Sequence, residues 1–330
     1  MSATEMGIGV KIDQFLKEAL HPLIVILGPT ASGKTGFSIE LAKHLQAQGR
    51  EAVRRSSPRV EIINADSRQL YKYLNIGTAK VTEEEMQGIS HHLINVLDPK
   101  EEVSVGWFQV EANRIINEVH ERGNIPFLVG GSMLYVSSVT DELTMAPSPS
   151  PKMRKELEDA FDKDSGKTLY KRLKEVDPES AQSIHQNNKP RLVRAVEIYE
   201  LTNQPKSKAV PQSELCPQEP TSAHSSLNIL ILGLELKRSE LHERIDQRTK
   251  EMFRDGWIDE VRALLEKGYG PNDPGIKSCG YREIMEAIES NQSIVEEVIE
   301  EVIAAKTRQY ARRQLTWWRR DKRIHWVKIY

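Results

Sequence analysis

Apolar residues gather in short unbroken runs along the first half of the chain: Leu23-Ile24-Val25-Ile26-Leu27, Val60-Glu61-Ile62-Ile63-Asn64-Ala65 and Ile125-Pro126-Phe127-Leu128-Val129. Runs of four to six such residues, bounded by turn formers, predict buried strands. Between them the period changes to that of a helix. Phe37, Ile39, Leu41 and Leu45 follow the first run, and Val110, Ile115, Ile116 and Val119 recur within residues 108–122. Residues 10–20 read as a short amphipathic surface helix beside the first strand. Strand and helix therefore alternate. The predicted fold class is α/β, a parallel-sheet core with helices on both faces.

From Asp141 the pattern changes. Residues 145–151 are rich in Pro and Ser and read as a linker. Residues 152–205 are charged, helical in period and poor in strand signals. Residues 211–226 are loop-like, and the apolar run 227–236 then returns as a strand. The economical division is a core from 1–142, a helical insertion over 143–226, and a core continuation over 227–330. The continuation holds helices over 238–253 and 258–267, a turn at 270–274 and a closing strand at 325–330.

Composition narrows the classes. The 330 residues are 38% hydrophobic and 28% charged, which suits one large or two modest domains. A net charge of −2 gives no global field towards nucleic acid, so any such surface must be a local patch. Two cysteines, Cys216 and Cys279, exclude a disulfide framework and a Cys-based zinc module. They fit a reducing compartment, and a cytoplasmic location is expected. No apolar run approaches the ~18–20 residues of a membrane span, so no membrane partner is expected.

The chemistry starts where the first strand ends. Gly28-Pro29-Thr30-Ala31-Ser32-Gly33-Lys34-Thr35 fits G-x-x-x-x-G-K-[ST] at every fixed position. With a strand before it and a helix after it, this is a phosphate-binding loop. Its amides and the helix N-terminus face an anion, Lys34 reaches outer phosphate oxygens, and Thr35 is placed to hold Mg²⁺. The second strand ends at Asp66-Ser67, at the edge where α/β sheets bind ligands; Asp66 reads as functional or as a helix N-cap. The strand at 125–129 ends in Gly130-Gly131-Ser132. A typical P-loop NTPase has a metal-holding carboxylate at such a strand end, so nucleotide hydrolysis is not favoured here.

Other polar features carry less. Gly77-Thr78-Ala79-Lys80 reads as a turn, and His91-His92 as structural. The polar 46–59 stretch reads as a solvated loop. Arg191 and Arg194 share a helix face, with a solvated face and anion contact both open. Arg244 and Arg248 lie beside Leu241 and Ile245, where an arginine usually has an anion partner or snorkels to the surface. Residues 307–320 interleave arginines, glutamines and aromatics. This is the local patch that the net charge called for, suited to phosphates and unpaired bases, and in part a basic helix with its tryptophans in the core.

Together these motifs resemble the tRNA dimethylallyltransferases, or tRNA isopentenyltransferases, from about residue 22 to 326. The resemblance rests on the glycine loop, Asp66-Ser67-x-Gln69-x-Tyr71, Gly77-Thr78-Ala79-Lys80, Ser104-Val105-Gly106-x-Phe108 and Gly130-Gly131-x-x-Leu134-Tyr135. It continues through Val176-Asp177-Pro178, Ile184-His185, Arg191-x-x-Arg194-Ala195-x-Glu197, Gly280-Tyr281 and Arg313-Gln314-x-Thr316-Trp317. Val81, Asn95 and Ser132 depart from the usual Pro, Asp and Thr. The resemblance implies transfer of a dimethylallyl group from dimethylallyl diphosphate to N6 of the adenine 3′ of the anticodon, in tRNAs reading codons that begin with U.

In that reading residues 28–35 cradle the diphosphate, with Thr35 and Mg²⁺, Thr30 and Arg248 stabilising it, and Asp66 is the general base. The resemblance implies tRNA contacts from Asp66, Ser67, Arg68, Gln69, Ser132 and Arg154, and from Pro190, Arg191, Leu192, Val193 and Arg194. Further contacts are expected from Lys277, Ser278, Cys279, Gly280, Tyr281 and Arg282, and from Arg313 and Gln314 in the basic stretch. The insertion is expected to clamp the anticodon stem-loop, and the chain to act as a monomer. The rival readings are an adenylate isopentenyltransferase acting on free AMP, ADP or ATP, a P-loop small-molecule kinase, and a non-catalytic RNA-binding protein.

Overall fold

The computed structural model describes residues 3–47, 59–141, 143, 149–209, 227–290 and 296–329. Most of the polar 46–59 stretch, the 145–151 linker and the 211–226 stretch thus lie outside the described residues. Among the described residues six strands form one sheet: β1 (Pro22–Leu27), β2 (Val60–Asn64), β3 (Ser90–His92), β4 (Ile125–Gly130), β5 (Asn228–Glu235) and β6 (Ile324–Lys328). Their order is β3-β2-β4-β1-β5-β6, and every pairing is parallel.

The side-chain period of two divides each strand between two cores. Leu23, Val25, Leu27, Ile63 and Leu128 face one side, where they pack with Phe108, Ala112 and Ile115 of helix Val105–Glu121. Ile24, Ile26, Ile62 and Phe127 face the other, against Ile39 and Ala42 of helix Lys34–Ala47 and Ile12 of helix Ala3–Glu18. Both faces are covered, so the central strands β1 and β4 carry near-continuous apolar runs. The α/β parallel sheet expected from sequence is the one observed.

Boundaries differ for local reasons. The helix expected at 108–122 begins at Val105, because Ser104 Oγ accepts the Trp107 amide as an N-cap. The N-terminal helix runs over Ala3–Glu18 rather than 10–20. β3 has three residues and no apolar run to announce it. Its His92 Nε2 lies 2.7 Å from Glu61 Oε2, so the histidine pair is structural, as read.

The chain divides into two compact units, Met1–Thr140 with Ser222–Tyr330, and Asp141–Thr221. The second has its own core of Leu169, Leu173, Ile184, Leu192, Val193 and Val196. Its buried Glu197 accepts Arg154 Nε at 2.9 Å and Arg194 at 3.1 Å. Among the described residues no helix is long and apolar enough to cross a membrane.

Glu61 is a charge inside β2. Burial alone would raise its pKa, but donors from Arg122, Asn124 and His92 outweigh that and hold it down at about 2. A folded-state pKa below the unfolded value gives stability that is present above the unfolded pKa and lost as pH falls through the folded one. Urea midpoints of the wild type should therefore drop between about pH 4.5 and 2. Glu61→Gln should be less stable at pH 7 and show a shallower acid slope.

Candidate active site

β2, β4 and β1 lie side by side, with Leu27 paired to Gly130 and Asn64 to Val129. The residues after each strand therefore emerge at one carboxyl edge: Gly28, Ala65-Asp66 and Gly131-Ser132. Gly130 is required for this approach, because a Cβ there would stand 2.3 Å from the Ala65 carbonyl. Ala65 and Ser132 then join the edges, with Ser132 N donating to Ala65 O at 3.1 Å. Ser132 Oγ accepts the Ser67 amide at 2.9 Å.

Asp66 is held by its own neighbours. Its amide donates to Asn64 Oδ1 at 3.0 Å, and its Oδ1 accepts the Arg68 amide at 2.8 Å. This is an Asx turn, and the chain continues in turns rather than a helix, so the N-cap reading is corrected. Oδ2 is uncommitted among the described hydrogen bonds.

Two cations converge on this carboxylate. Lys34 opens helix Lys34–Ala47 and donates Nζ to the Pro29 carbonyl at 2.7 Å. Burial lowers its pKa to about 8, with Asp66 opposing the shift and Arg248 adding to it. Arg248, on helix Arg238–Arg254, donates to Thr30 Oγ1 at 2.6 Å. Burial lowers its pKa as well, again opposed by Asp66. Its neighbour Arg244 pairs with Glu240 at 2.7 Å. Ser32 Oγ is buried and has no hydrogen-bond partner among the described residues.

Two cavities open here. One of about 320 Å³ is lined by Ala31, Gly33, Lys34, Thr35, Gln69 and Gln314 among others. One of about 770 Å³ is lined by Ser67, Arg68, Ser132, Lys277, Ser278, Cys279, Arg282 and Arg313, and by apolar Val105, Met133, Met252 and Ile303. Thr30, Asp66, Thr78, Arg248 and Tyr310 line both. Sequence reasoning missed Thr78, taken for a turn residue, and Tyr310, whose signal was its place in the basic aromatic stretch. Burial, together with the Asp66 charge, pushes the Tyr310 hydroxyl up to about 12.

Several expected contacts are corrected. Gln314 is 1% exposed. It accepts the Thr30 amide at 2.8 Å and donates to Gly131 O at 2.8 Å, tying the glycine loop to the end of β4. Tyr281, Leu192 and Val193 have buried side chains, and Gly280 is buried too, so none of them offers a surface to RNA. Ser278 Oγ donates to Gly275 O. Arg154 and Arg194 are engaged with Glu197, while Pro190 and Arg191 are exposed. Gly28, Pro29 and Ser32 are buried and line neither cavity. Among the described residues no cluster of three or more His, Cys, Asp or Glu could hold a metal. Thr35 offers a single hydroxyl.

The IPP transferase family model matches residues 69–321. The tRNA dimethylallyltransferase of Carboxydothermus hydrogenoformans is 39% identical over 92% of this chain and 91% of its own length. That of Oceanobacillus iheyensis is 38% identical over 93% and 91%. Among solved structures, the tRNA isopentenylpyrophosphate transferase of Bacillus halodurans is 36% identical, with a TM-score of 0.63 over 93% of this chain and 90% of that one. A eukaryotic dimethylallyltransferase acting on tRNA is 26% identical, with a TM-score of 0.70 over 93% and 73%. On this match of model, sequence and fold, the chain belongs to the IPP transferase family of tRNA dimethylallyltransferases.

Proposed function

We propose that this chain transfers the dimethylallyl group of dimethylallyl diphosphate to N6 of the adenine 3′ of the anticodon in tRNAs reading codons that begin with U. The observation that carries this reading is the meeting of Thr30, Arg248 and Asp66 where the two cavities join, with Lys34 beside them in the smaller one. The smaller cavity takes the diphosphate. The larger takes the adenine, which leaves the anticodon-loop stack to reach it. A free adenine nucleotide as acceptor is not favoured, because the relatives that span the chain are named for tRNA.

As the allylic C–O bond breaks, its electron pair leaves with the diphosphate. Lys34, Arg248, Thr30 and the loop amides stabilise that growing charge. N6 attacks the allylic carbon, and its proton passes to Asp66, whose Oδ2 stands uncommitted. A bound Mg²⁺ would neutralise part of the diphosphate charge. One hydroxyl, Thr35, suits an ion that takes most of its ligands from phosphate oxygens and water. Arg68, Lys277, Arg282 and Arg313 at the larger cavity are suited to RNA phosphates. Exposed Arg191 gives the 141–221 unit a cation for the anticodon stem-loop. The active form is read as a monomer.

The direct test is label transfer from dimethylallyl diphosphate, with Mg²⁺, to unmodified tRNA or to AMP, ADP and ATP. Label should enter tRNA alone; label in nucleotides alone would overturn the acceptor, and label in neither would overturn prenyl transfer. Asp66→Ala should lower kcat by ~10²–10⁴-fold, the range of general acid–base catalysis, while inorganic diphosphate still binds in calorimetry.

Lys34 gives a pH signature. Its free-state pKa of about 8 means that its charge is lost as pH rises through that value. Diphosphate affinity should weaken above pH 8, and binding there should take up a proton, seen as a buffer-dependent heat. Lys34→Met should bind more weakly at pH 7 and lose the proton uptake.

A further inference from the structure

Residues 75–80 are turn and coil, so their amides need partners outside regular structure. Thr78, in the middle of this segment, is one of the five residues lining both cavities. Two side chains distant in sequence capture three successive amides before it. Glu260, on helix Trp257–Glu266, accepts Asn75 N and Ile76 N, each at 3.0 Å on Oε2. Tyr281, the first residue of helix Tyr281–Glu289, accepts Gly77 N at 3.0 Å and donates its hydroxyl to Glu260 Oε1 at 2.5 Å. A phenol has one hydrogen, so the direction is fixed: Gly77 amide to Tyr281 oxygen, Tyr281 hydroxyl to Glu260. Burial and the Glu260 charge push the Tyr281 pKa up, which keeps that hydrogen in place.

The packing is equally specific. A Cβ on Gly77 or on Gly280 would stand 2.1 Å from the Trp257 indole, so both backbones close directly on its ring. The far end of the segment is fixed by Lys80, whose Nζ donates to Tyr71 O at 2.6 Å and Asn95 Oδ1 at 2.7 Å. Glu260 and Tyr281 line neither cavity.

We propose that Glu260 and Tyr281 are positioning residues that clamp the 75–77 amides, hold Thr78 at the junction of the cavities, and so set the gap across which acceptor nitrogen and allylic carbon meet. This rests on the prenyl-transfer reading of the junction. The Gly280-Tyr281 motif then serves the wall of the site from behind rather than touching RNA.

The test compares Tyr281→Phe and Glu260→Gln with Val261→Ala. Val261 is fully buried on the same helix and takes no part in the clamp. The phenylalanine keeps the ring and removes both hydrogen bonds. In Tyr281→Phe, kcat for tRNA prenylation should fall ~10–100-fold, as expected for a small misplacement of reacting groups, with Kd for inorganic diphosphate within about twofold. Glu260→Gln should follow in the same direction. Val261→Ala should lower Tm while leaving kcat within about twofold. An unchanged kcat in Tyr281→Phe overturns the proposal, as does an equal kcat loss in Val261→Ala at matched Tm or a parallel loss of diphosphate affinity. Amide exchange reads the clamp independently of activity. Residues 75–78 should exchange at least tenfold faster in Tyr281→Phe, with the helix Lys34–Ala47 unaffected; equal exchange refutes the clamp. Failure of the wild type to prenylate any acceptor would instead overturn the function on which the proposal rests.

Discussion

Two enclosed cations share one carboxylate at the edge of the sheet. Lys34 and Arg248 are each disfavoured as charges by burial, Arg248 weighs further on Lys34, and Asp66 favours both. One carboxylate compensates two partly buried cations incompletely. A polyanion such as the proposed diphosphate would supply the missing compensation. Much else serves to hold these three groups together. Gly130 lets β2 and β4 close their ends, Gln314 fixes the glycine loop to β4, and the Asx turn aims Asp66.

The parallel sheet was legible because buried strands between helices must be apolar along their whole length, as Leu23–Leu27 and Phe127–Val129 are. The turn from β1 into helix Lys34–Ala47 was legible because its glycines stand at fixed spacing between an apolar run and a helical period. β3 was not, since Ser90-His91-His92 is a polar edge strand held by Glu61 and by register rather than by an apolar run. Thr78 and Tyr310 were not, since each enters the site through tertiary contact: Thr78 through amides captured by residues some 180–200 positions away, Tyr310 through a helix that crosses the end of β4.

Residues 307–320 show the limit most sharply. Arginine, amide and aromatic alternate there, and the pattern alone does not divide RNA-facing residues from core ones. On helix Glu296–Trp318 the period of 3.6 separates it into faces. Arg312 and Arg313 are exposed, whereas Ala311, Gln314 and Trp318 are buried. A buried glutamine must satisfy donor and acceptor together, and the Gly131 carbonyl and Thr30 amide give Gln314 both. The same turn of helix therefore offers charge outward and ties the loop inward. Composition cannot distinguish Gln309, exposed at the larger cavity, from Gln314, buried against the loop, because they differ only in which way the helix has turned.

The carboxylates around the junction argue for what the loop holds. Glu251 lines the smaller cavity and Glu283 the larger, while Asp66 alone among the described carboxylates lines both. Glu283 is committed to the Gly280 amide and to Lys306. A nucleotide hydrolase needs an acid group directed at its metal and its attacking water. Here β4 ends in Gly130-Gly131-Ser132, and Ser132 is occupied by the Ser67 amide. The one carboxylate left with an uncommitted oxygen at the junction faces the acceptor's cavity as well as the anion's. That placement suits a base that takes a proton from a nucleophile while the cations beside it receive a leaving diphosphate.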